Sequence, residues 1–144
     1  MMEKHYLEKY DKSSQALINI VGIYAEKVES LDQFTLLAMM GQFSWNVSLL
    51  ALGQQKKFIR DFARKFPPGN RDTIRSMLLF FIDRKKALYP EDGRFMIDIS
   101  ISERKSTYYL KVFTLFPENA ANAIEELKKN GKFLNIPLDD FLIK

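Results

Sequence analysis

Apolar residues in the first half of the chain recur at three- and four-residue steps, the spacing of one helix face. The stripe that begins at Leu17 predicts a helix over residues 13–30. Residues 34–52 follow a capping-box sequence at Ser30 and are apolar almost all round, which predicts a helix at the centre of the core. Three small residues lie on one side of this helix and would let a neighbouring helix approach closely: Gly41, Ser44 and Ser48.

Two further helices are predicted before the chain changes its pattern. Gly53 is interpreted as a break, because an unbroken helix from the preceding segment would be too long for a domain of this size. Residues 54–66 have one apolar and one charged side, and the Pro-Pro-Gly sequence at 67–69 ends that helix. A dense apolar pattern predicts the next helix over residues 70–89.

The pattern then changes from the helical period to alternation. Residues 94–102 alternate apolar and polar side chains, which predicts a half-buried strand. Residues 107–116 are rich in aromatic and β-branched residues and predict the returning strand. The polar residues 103–106 between them predict the turn of an antiparallel hairpin.

The character of the side chains also suggests a register for this hairpin. Pairing Ser102 with Thr107 matches the apolar faces of the two strands. The same pairing sets Asp98 opposite Lys111, so that opposite charges meet across the strands. A slip by one residue would turn one strand's apolar face to the wrong side.

The remaining sequence completes an α+β fold. Residues 117–130 predict a further helix that ends at Gly131. The apolar tail after it is expected to dock, with residues 133–136 as a candidate third strand. The predicted order is an N-terminal helical layer of about four helices, an antiparallel β-hairpin, a further helix and a docked C-terminal tail. We expect a single compact domain over residues 1–144, with residues 1–12 mobile.

Composition excludes several kinds of chemistry. The chain has 144 residues, of which 47% are hydrophobic and 28% charged, as in an average globular domain. It has no cysteine, which excludes disulfides and thiolate chemistry. The single histidine, His5, cannot build a zinc site of several imidazoles. The sequence has no phosphate-binding glycine loop or catalytic signature, so we expect no catalytic residue, no metal site and no cofactor.

The location of the protein is inferred from its apolar segments. Residues 1–12 contain no apolar run, which argues against a secretory signal. Residues 34–52 are long enough to span a bilayer, but Gln42 and Asn46 would then lie in the hydrocarbon. A core helix, a cytoplasmic protein and no membrane partner are therefore expected.

Positive charge is concentrated in one segment. The chain carries a net charge of +4, whereas residues 54–90 hold ten lysines and arginines against three aspartates, a net charge of +7. This basic segment predicts a surface for a negatively charged partner, although a solvated helix face explains the same pattern. The residues predicted to form that surface are Lys57, Arg60, Arg64, Arg71 and Arg75.

A second candidate site lies on the central apolar helix. Gln42 and Asn46 are one helical turn apart and Trp45 adjoins them, so the three could line a ligand pocket. Buried amides more often bond to each other, to a neighbouring backbone or to a buried water. Both interpretations are compatible with the sequence.

These observations favour a non-enzymatic protein-interaction or regulatory module, with self-association into a homodimer as one form of it. The apolar surface of the helical layer and the open edges of a small sheet support this interpretation. One alternative is an electrostatic nucleic-acid or nucleoprotein binder that uses residues 54–90. The other is a small-ligand or enzyme domain with a pocket near Gln42, Trp45 and Asn46.

Overall fold

A computed structural model describes residues 12–105, 107–116 and 124 of the chain. Within these residues, four α-helices precede an antiparallel β-hairpin, which confirms the predicted α+β order. The elements are α1 (Lys12–Ala25), α2 (Leu31–Val47), α3 (Leu52–Ala63), a 3₁₀ turn (Pro68–Asn70), α4 (Arg71–Leu88), β1 (Phe95–Arg104) and β2 (Thr107–Leu115).

Little of the predicted C-terminal part falls within the described residues. Ile124, in the segment predicted as a further helix, is helical and packs into the core. The expectations for residues 1–11 and for the tail after Gly131 lie outside the described residues. Lys12, which was expected to be mobile, is the first residue of α1.

The central position predicted for α2 is confirmed. Every residue from Leu36 to Val47 except Met39 is buried, and α2 packs against α1, α4 and β1. The backbone N–H of Gln33 donates to the Ser30 hydroxyl at 3.1 Å, which is the predicted N-terminal cap. No described helix has the length and apolar content that crossing a membrane requires.

The close approach predicted at the small residues of α2 is found at Gly41. A Cβ atom at this position would lie 2.5 Å from Cγ1 of Val21 and 2.8 Å from Cδ1 of Leu17. The side chains of α1 therefore occupy the space that any larger residue would need. Ser44, one turn further along α2, is fully buried.

The break between α2 and α3 lies earlier than predicted. Helix α2 ends at Val47, whereas Gly53 is the second residue of α3. The Ser48 hydroxyl donates to the Trp45 carbonyl at 2.5 Å, and the Gln55 side-chain amide donates to the Leu50 carbonyl at 2.9 Å. These side chains satisfy backbone carbonyls in the turn, so the chain reverses there without a glycine.

The hairpin is formed by the predicted strands, but its register differs by two residues. Arg104 pairs with Thr107, so the turn lies between them, within the predicted 103–106 segment. Lys105 adopts a left-handed backbone conformation, with φ at 50°, as tight hairpin turns require. The predicted pairing of Asp98 with Lys111 is therefore wrong.

The observed register keeps each strand's apolar face on the core. Asp98 faces Phe113, and Lys111 faces Ser100. A two-residue shift leaves the apolar and polar sides unchanged, because side chains alternate with a period of two. The tight turn at Lys105 therefore decided the register, and the charges on the outer face did not.

The alternation of β1 is interrupted at its start. Met96 faces Thr114 and Asp98 faces Phe113, so Ile97 is an extra residue between these pairs. As a consequence, the neighbouring side chains of Phe95 and Met96 are both fully buried. The bulge lies where β1 meets α2.

A pair of glycine substitutions tests the packing of α1 on α2. Gly41→Ala is expected to lower the free energy of unfolding by about 1–3 kcal/mol, because the new methyl group overlaps Val21 and Leu17. Gly53→Ala is the matched control, since no atom lies within 4 Å of its added Cβ. It should raise stability by up to about 1 kcal/mol through helix propensity and a more restricted unfolded chain. Urea denaturation measures both, and equal effects of the two substitutions would contradict the packing.

Candidate functional site

The amides of the predicted pocket hold the start of β1. The Asn46 side chain accepts from the Met96 backbone N–H at 2.8 Å and donates to the Met96 carbonyl at 3.0 Å. The Gln42 amide donates to the same carbonyl at 2.9 Å. Asn46 therefore bonds to both backbone groups of Met96, as a neighbouring strand would.

Trp45 adds a third connection between α2 and the chain just before β1. Its indole N–H donates to the Arg94 carbonyl at 2.7 Å, and the side chain is fully buried. The structure brings Gln42, Trp45 and Asn46 together, and each of them bonds to backbone. This favours a structural role for the three residues. A ligand pocket beside them stays a prediction.

A polar cluster that the sequence did not reveal lies against Trp45. Lys85 of α4 is only 4% exposed, although lysine is seldom buried. Its ammonium donates to the Asp92 carbonyl at 2.7 Å and lies 5.2 Å from the centre of the Trp45 ring, a cation–π contact. Burial lowers the pKa of Lys85, while the nearby charge of Asp92 acts in the opposite direction.

Asp92 and Arg94 complete this cluster with a two-point ion pair. The Arg94 guanidinium donates to the two carboxylate oxygens of Asp92 at 2.9 and 2.6 Å. It also donates to the Ser13 hydroxyl of α1 at 2.5 Å. The hydrogen bonds from Arg94 are the main reason why the pKa of Asp92 is lowered. The cluster therefore connects the turn before β1 with α1 and α4.

Sequence reasoning missed this cluster because each member has an ordinary local explanation. A lysine in the last turn of a helix suits the helix dipole, and an acidic residue in a turn needs no further partner. The only local signal is the two-residue spacing of Asp92 and Arg94, which lets the aspartate accept from the Arg94 backbone at 3.1 Å. Among the described residues, no three histidine or carboxylate side chains come together in a way that could hold a metal ion.

The basic residues of α3 are exposed, as the sequence predicted. Lys57 and Arg60 lie on α3, and Arg64 is the residue that caps its C-terminus; they follow at three- and four-residue steps, and all three are exposed. Arg60 and Arg64 lie 3.8 and 4.0 Å from the same oxygen of Asp61. Exposed ion pairs at such distances contribute little to stability. One aspartate thus faces two arginines, and the surface keeps an excess of positive charge.

The two residues of the predicted basic surface that lie on α4, Arg71 and Arg75, bond within the chain. The Arg71 guanidinium donates to the Phe66 carbonyl at 2.9 Å and to the Arg64 carbonyl at 3.2 Å, which caps the end of α3. Arg75 forms an ion pair with Asp72. Arg71 thus lies beside the backbone of Arg64, where the basic residues of the two helices meet. A charged-partner surface here stays a prediction that rests mainly on α3.

The outer edge of β2 is covered by the first turn of α1. The Val112 backbone N–H donates to the Ser14 hydroxyl at 3.0 Å. The Thr114 hydroxyl lies 3.5 Å from that of Ser13. The bond to Ser14 also shows that the Val112 N–H points away from β1 and makes no bond across the hairpin.

Within the described part of the chain, the outer edge of β1 is covered only at its start. Val112 pairs with Ile99, whose own N–H is bonded to the Asp98 carboxylate at 2.9 Å, so this pair exchanges no bonds across the hairpin. Because such pairs alternate along antiparallel strands, Ile101 and Glu103 also direct their backbone groups away from β2. Among the described residues the sheet has two strands, so from Asp98 to Arg104 this edge has no strand partner there.

Comparison of the chain with known protein families, with curated proteins and with solved structures finds no match. The function of the candidate sites therefore has to be inferred from their geometry. The described part of the chain offers three of them, namely the amides that hold β1, the basic residues of α3 and α4, and the outer edge of β1.

The Asp92–Arg94 ion pair predicts a pH-dependent loss of stability. Asp92→Asn is expected to lower the free energy of unfolding at neutral pH by about 1–3 kcal/mol, because the charge-assisted bonds to Arg94 are lost. The lowered pKa of Asp92 means that its contribution is present above the unfolded value of about 3.9 and is lost as the pH falls through the lower folded value.

The difference in the free energy of unfolding between wild type and Asp92→Asn should therefore be constant near neutral pH and shrink in acid. Urea denaturation at a series of pH values measures it, with the exposed Asp83→Asn as the control. A difference that persists unchanged in acid would contradict the role of the ionised carboxylate.

The basic residues of α3 predict how the nucleic-acid alternative would behave. If that alternative holds, a generic DNA duplex binds at low salt, and the affinity falls steeply as salt is added. Reversing Arg60 and Arg64 to Glu should weaken that binding and flatten its salt dependence, because fewer counterions are released. Lys12→Glu with Lys27→Glu makes the same change in charge elsewhere and should have less effect. Fluorescence anisotropy measures the affinities, and absence of binding at low salt would remove this alternative.

Proposed function

We propose that this chain is a non-enzymatic protein-interaction module that binds an extended segment of a partner along the outer edge of β1. The observation that carries the proposal is the backbone of Ile101 and Glu103, which is directed away from β2 and has no strand partner among the described residues. An edge of this kind can add a strand from another chain, whose main-chain hydrogen bonds supply affinity.

The surroundings of the edge support this proposal. At one end of the edge, the backbone groups of Met96 are bonded to the side chains of Asn46 and Gln42. At the other end, the hairpin turn at Lys105 ends the strand. The opposite edge of the hairpin lies against α1. The described helices and strands thus leave one segment, Asp98 to Arg104, open to a partner.

Side chains along this segment provide the means of selecting a partner. The outer face carries polar and charged residues, and all of them are exposed: Asp98, Ser100, Ser102 and Arg104. Ile99 and Ile101 on the inner face are partly buried against the core. A partner strand would meet both faces in alternation, so its sequence would have to match a polar and an apolar side.

A cytoplasmic location belongs to the same proposal. The basic residues of α3 would add to the rate of association with a negatively charged partner without holding the complex.

A pocket beside Trp45 is a weaker basis for function, because the Trp45 indole N–H and both neighbouring amides bond to backbone.

A proline in the edge tests the proposal. Extended peptides selected from a random library for binding to the wild-type chain should lose at least about tenfold in affinity for Ile101→Pro, which removes an edge N–H and blocks the approach of a strand. The hairpin should persist in this variant, because the Ile101 N–H makes no bond to β2. Ile101→Val keeps the N–H and a β-branched side chain, and it should bind the peptides as wild type does.

Amide hydrogen exchange locates the bound peptide. The backbone amides of Ile101 and Glu103 should become protected when peptide is added, while circular dichroism confirms that Ile101→Pro retains its fold. Peptides that bind Ile101→Pro as tightly as wild type, or that protect a different surface, would contradict the proposal.

A further inference from the structure

We infer that the strand this edge accepts is β1 of a second copy of the chain, paired antiparallel about a two-fold axis at Ile101. The inference rests on the proposed function and names its partner. It follows from where the open segment begins and ends and from the positions of its charges.

The length of the open segment determines where the axis lies. The bulge at Ile97 and the side chains bound to Met96 prevent a regular strand from pairing before Asp98. The turn ends the strand at Arg104. Two copies that use the whole of this segment can meet in one symmetric way only, with its middle residue, Ile101, facing itself across the axis.

Backbone directions agree with this arrangement. In an antiparallel pair, the residues that exchange hydrogen bonds are those whose N–H and C=O point toward the partner. An axis at Ile101 pairs Ile101 with its counterpart and Ile99 with Glu103 of the other copy. These are the residues between Asp98 and Arg104 that point away from β2. The N–H and C=O groups directed toward the open edge would all gain partners.

Charge complementarity selects the same register independently. With the axis at Ile101, Asp98 of each copy lies opposite Arg104 of the other, so two pairs of opposite charges form on the exposed face. An axis at Ser100 would place Asp98 opposite Ser102, and an axis at Ser102 would place Arg104 opposite Ser100. Those neighbouring registers leave the charges without partners.

Neither charge already has an ion-pair partner among the described residues. Among the residues that the structure describes, the exposed Asp98 carboxylate accepts only from the N–H of its neighbour Ile99, at 2.9 Å. Arg104 is exposed at the end of the strand. When a second copy docks, the carboxylate can turn to Arg104 of that copy and release the Ile99 N–H to the new sheet. Asp98 therefore covers the edge locally in the monomer and pairs across the axis in the dimer.

Sedimentation equilibrium across a wide range of concentration tests this inference. The wild-type chain should form a dimer whose fraction rises with concentration, and Ile101→Pro should remain monomeric. Asp98→Lys and Arg104→Glu each place like charges opposite one another at both ends of the interface, so each should raise the dimer Kd at least about tenfold. Lys111→Glu changes a charge on the same face of β2, away from the edge, and should dimerise as wild type does.

Mixing the two charge variants gives the decisive measurement. In a mixed dimer, Lys at 98 meets Glu at 104, and the native Arg104 meets the native Asp98, so both ends are complementary again. The mixture should therefore associate more tightly than either variant alone. A mixture that associates no better would overturn the register.

The remaining outcomes separate this inference from the proposed function. Suppose that the wild-type chain stays monomeric up to about 1 mM, while peptides bind the edge and no longer bind Ile101→Pro. This result would overturn the second copy as partner and leave the proposed function standing. A wild-type dimer that survives Ile101→Pro uses another surface and would overturn the inference. If the chain neither binds peptides at this edge nor dimerises, both the inference and the proposed function would be overturned.

Discussion

The hydrogen bonds between Asn46 and the backbone of Met96 are the contact on which the rest of the hairpin's arrangement depends. A buried amide on a central helix needs partners, and a strand that begins beside the helix needs its outward N–H and C=O satisfied. The Asn46 amide and the Met96 backbone satisfy each other's hydrogen bonds. The extra residue Ile97 follows directly after this contact, between the Met96–Thr114 and Asp98–Phe113 pairs.

Two helices thereby act as neighbours of a sheet that has two strands among the described residues. Helix α2 covers the start of β1 through Asn46, while α1 covers part of β2 through Ser14. The two helices are in turn held together at Gly41, where no larger side chain fits. The Asp92–Arg94 pair and the buried Lys85 anchor the turn that enters β1. These contacts fix the position of the open part of β1 relative to the helices.

The elements could be predicted from the sequence because each has a strong local pattern, but their contacts could not. The period-two pattern around Ile99 predicted the strand, and the capping box at Ser30 predicted the start of α2. The break predicted at Gly53 was misplaced, because side-chain hydrogen bonds, and not a flexible glycine backbone, form the turn after α2. Lys85 was missed because its burial depends on Trp45, which is distant in sequence.

The misplaced register is informative about the edge. The predicted pairing of Asp98 with Lys111 would give both charges a partner within the hairpin. The tight turn at Lys105 instead sets Asp98 opposite Phe113 and leaves it, like Arg104, without an ion pair among the described residues. Charged residues on an edge strand normally oppose indiscriminate pairing, because most approaching strands would leave them unmatched. Opposite charges at the two ends of one open segment relax that barrier for a single kind of strand, one that carries the same two charges in the same sequence order and pairs antiparallel.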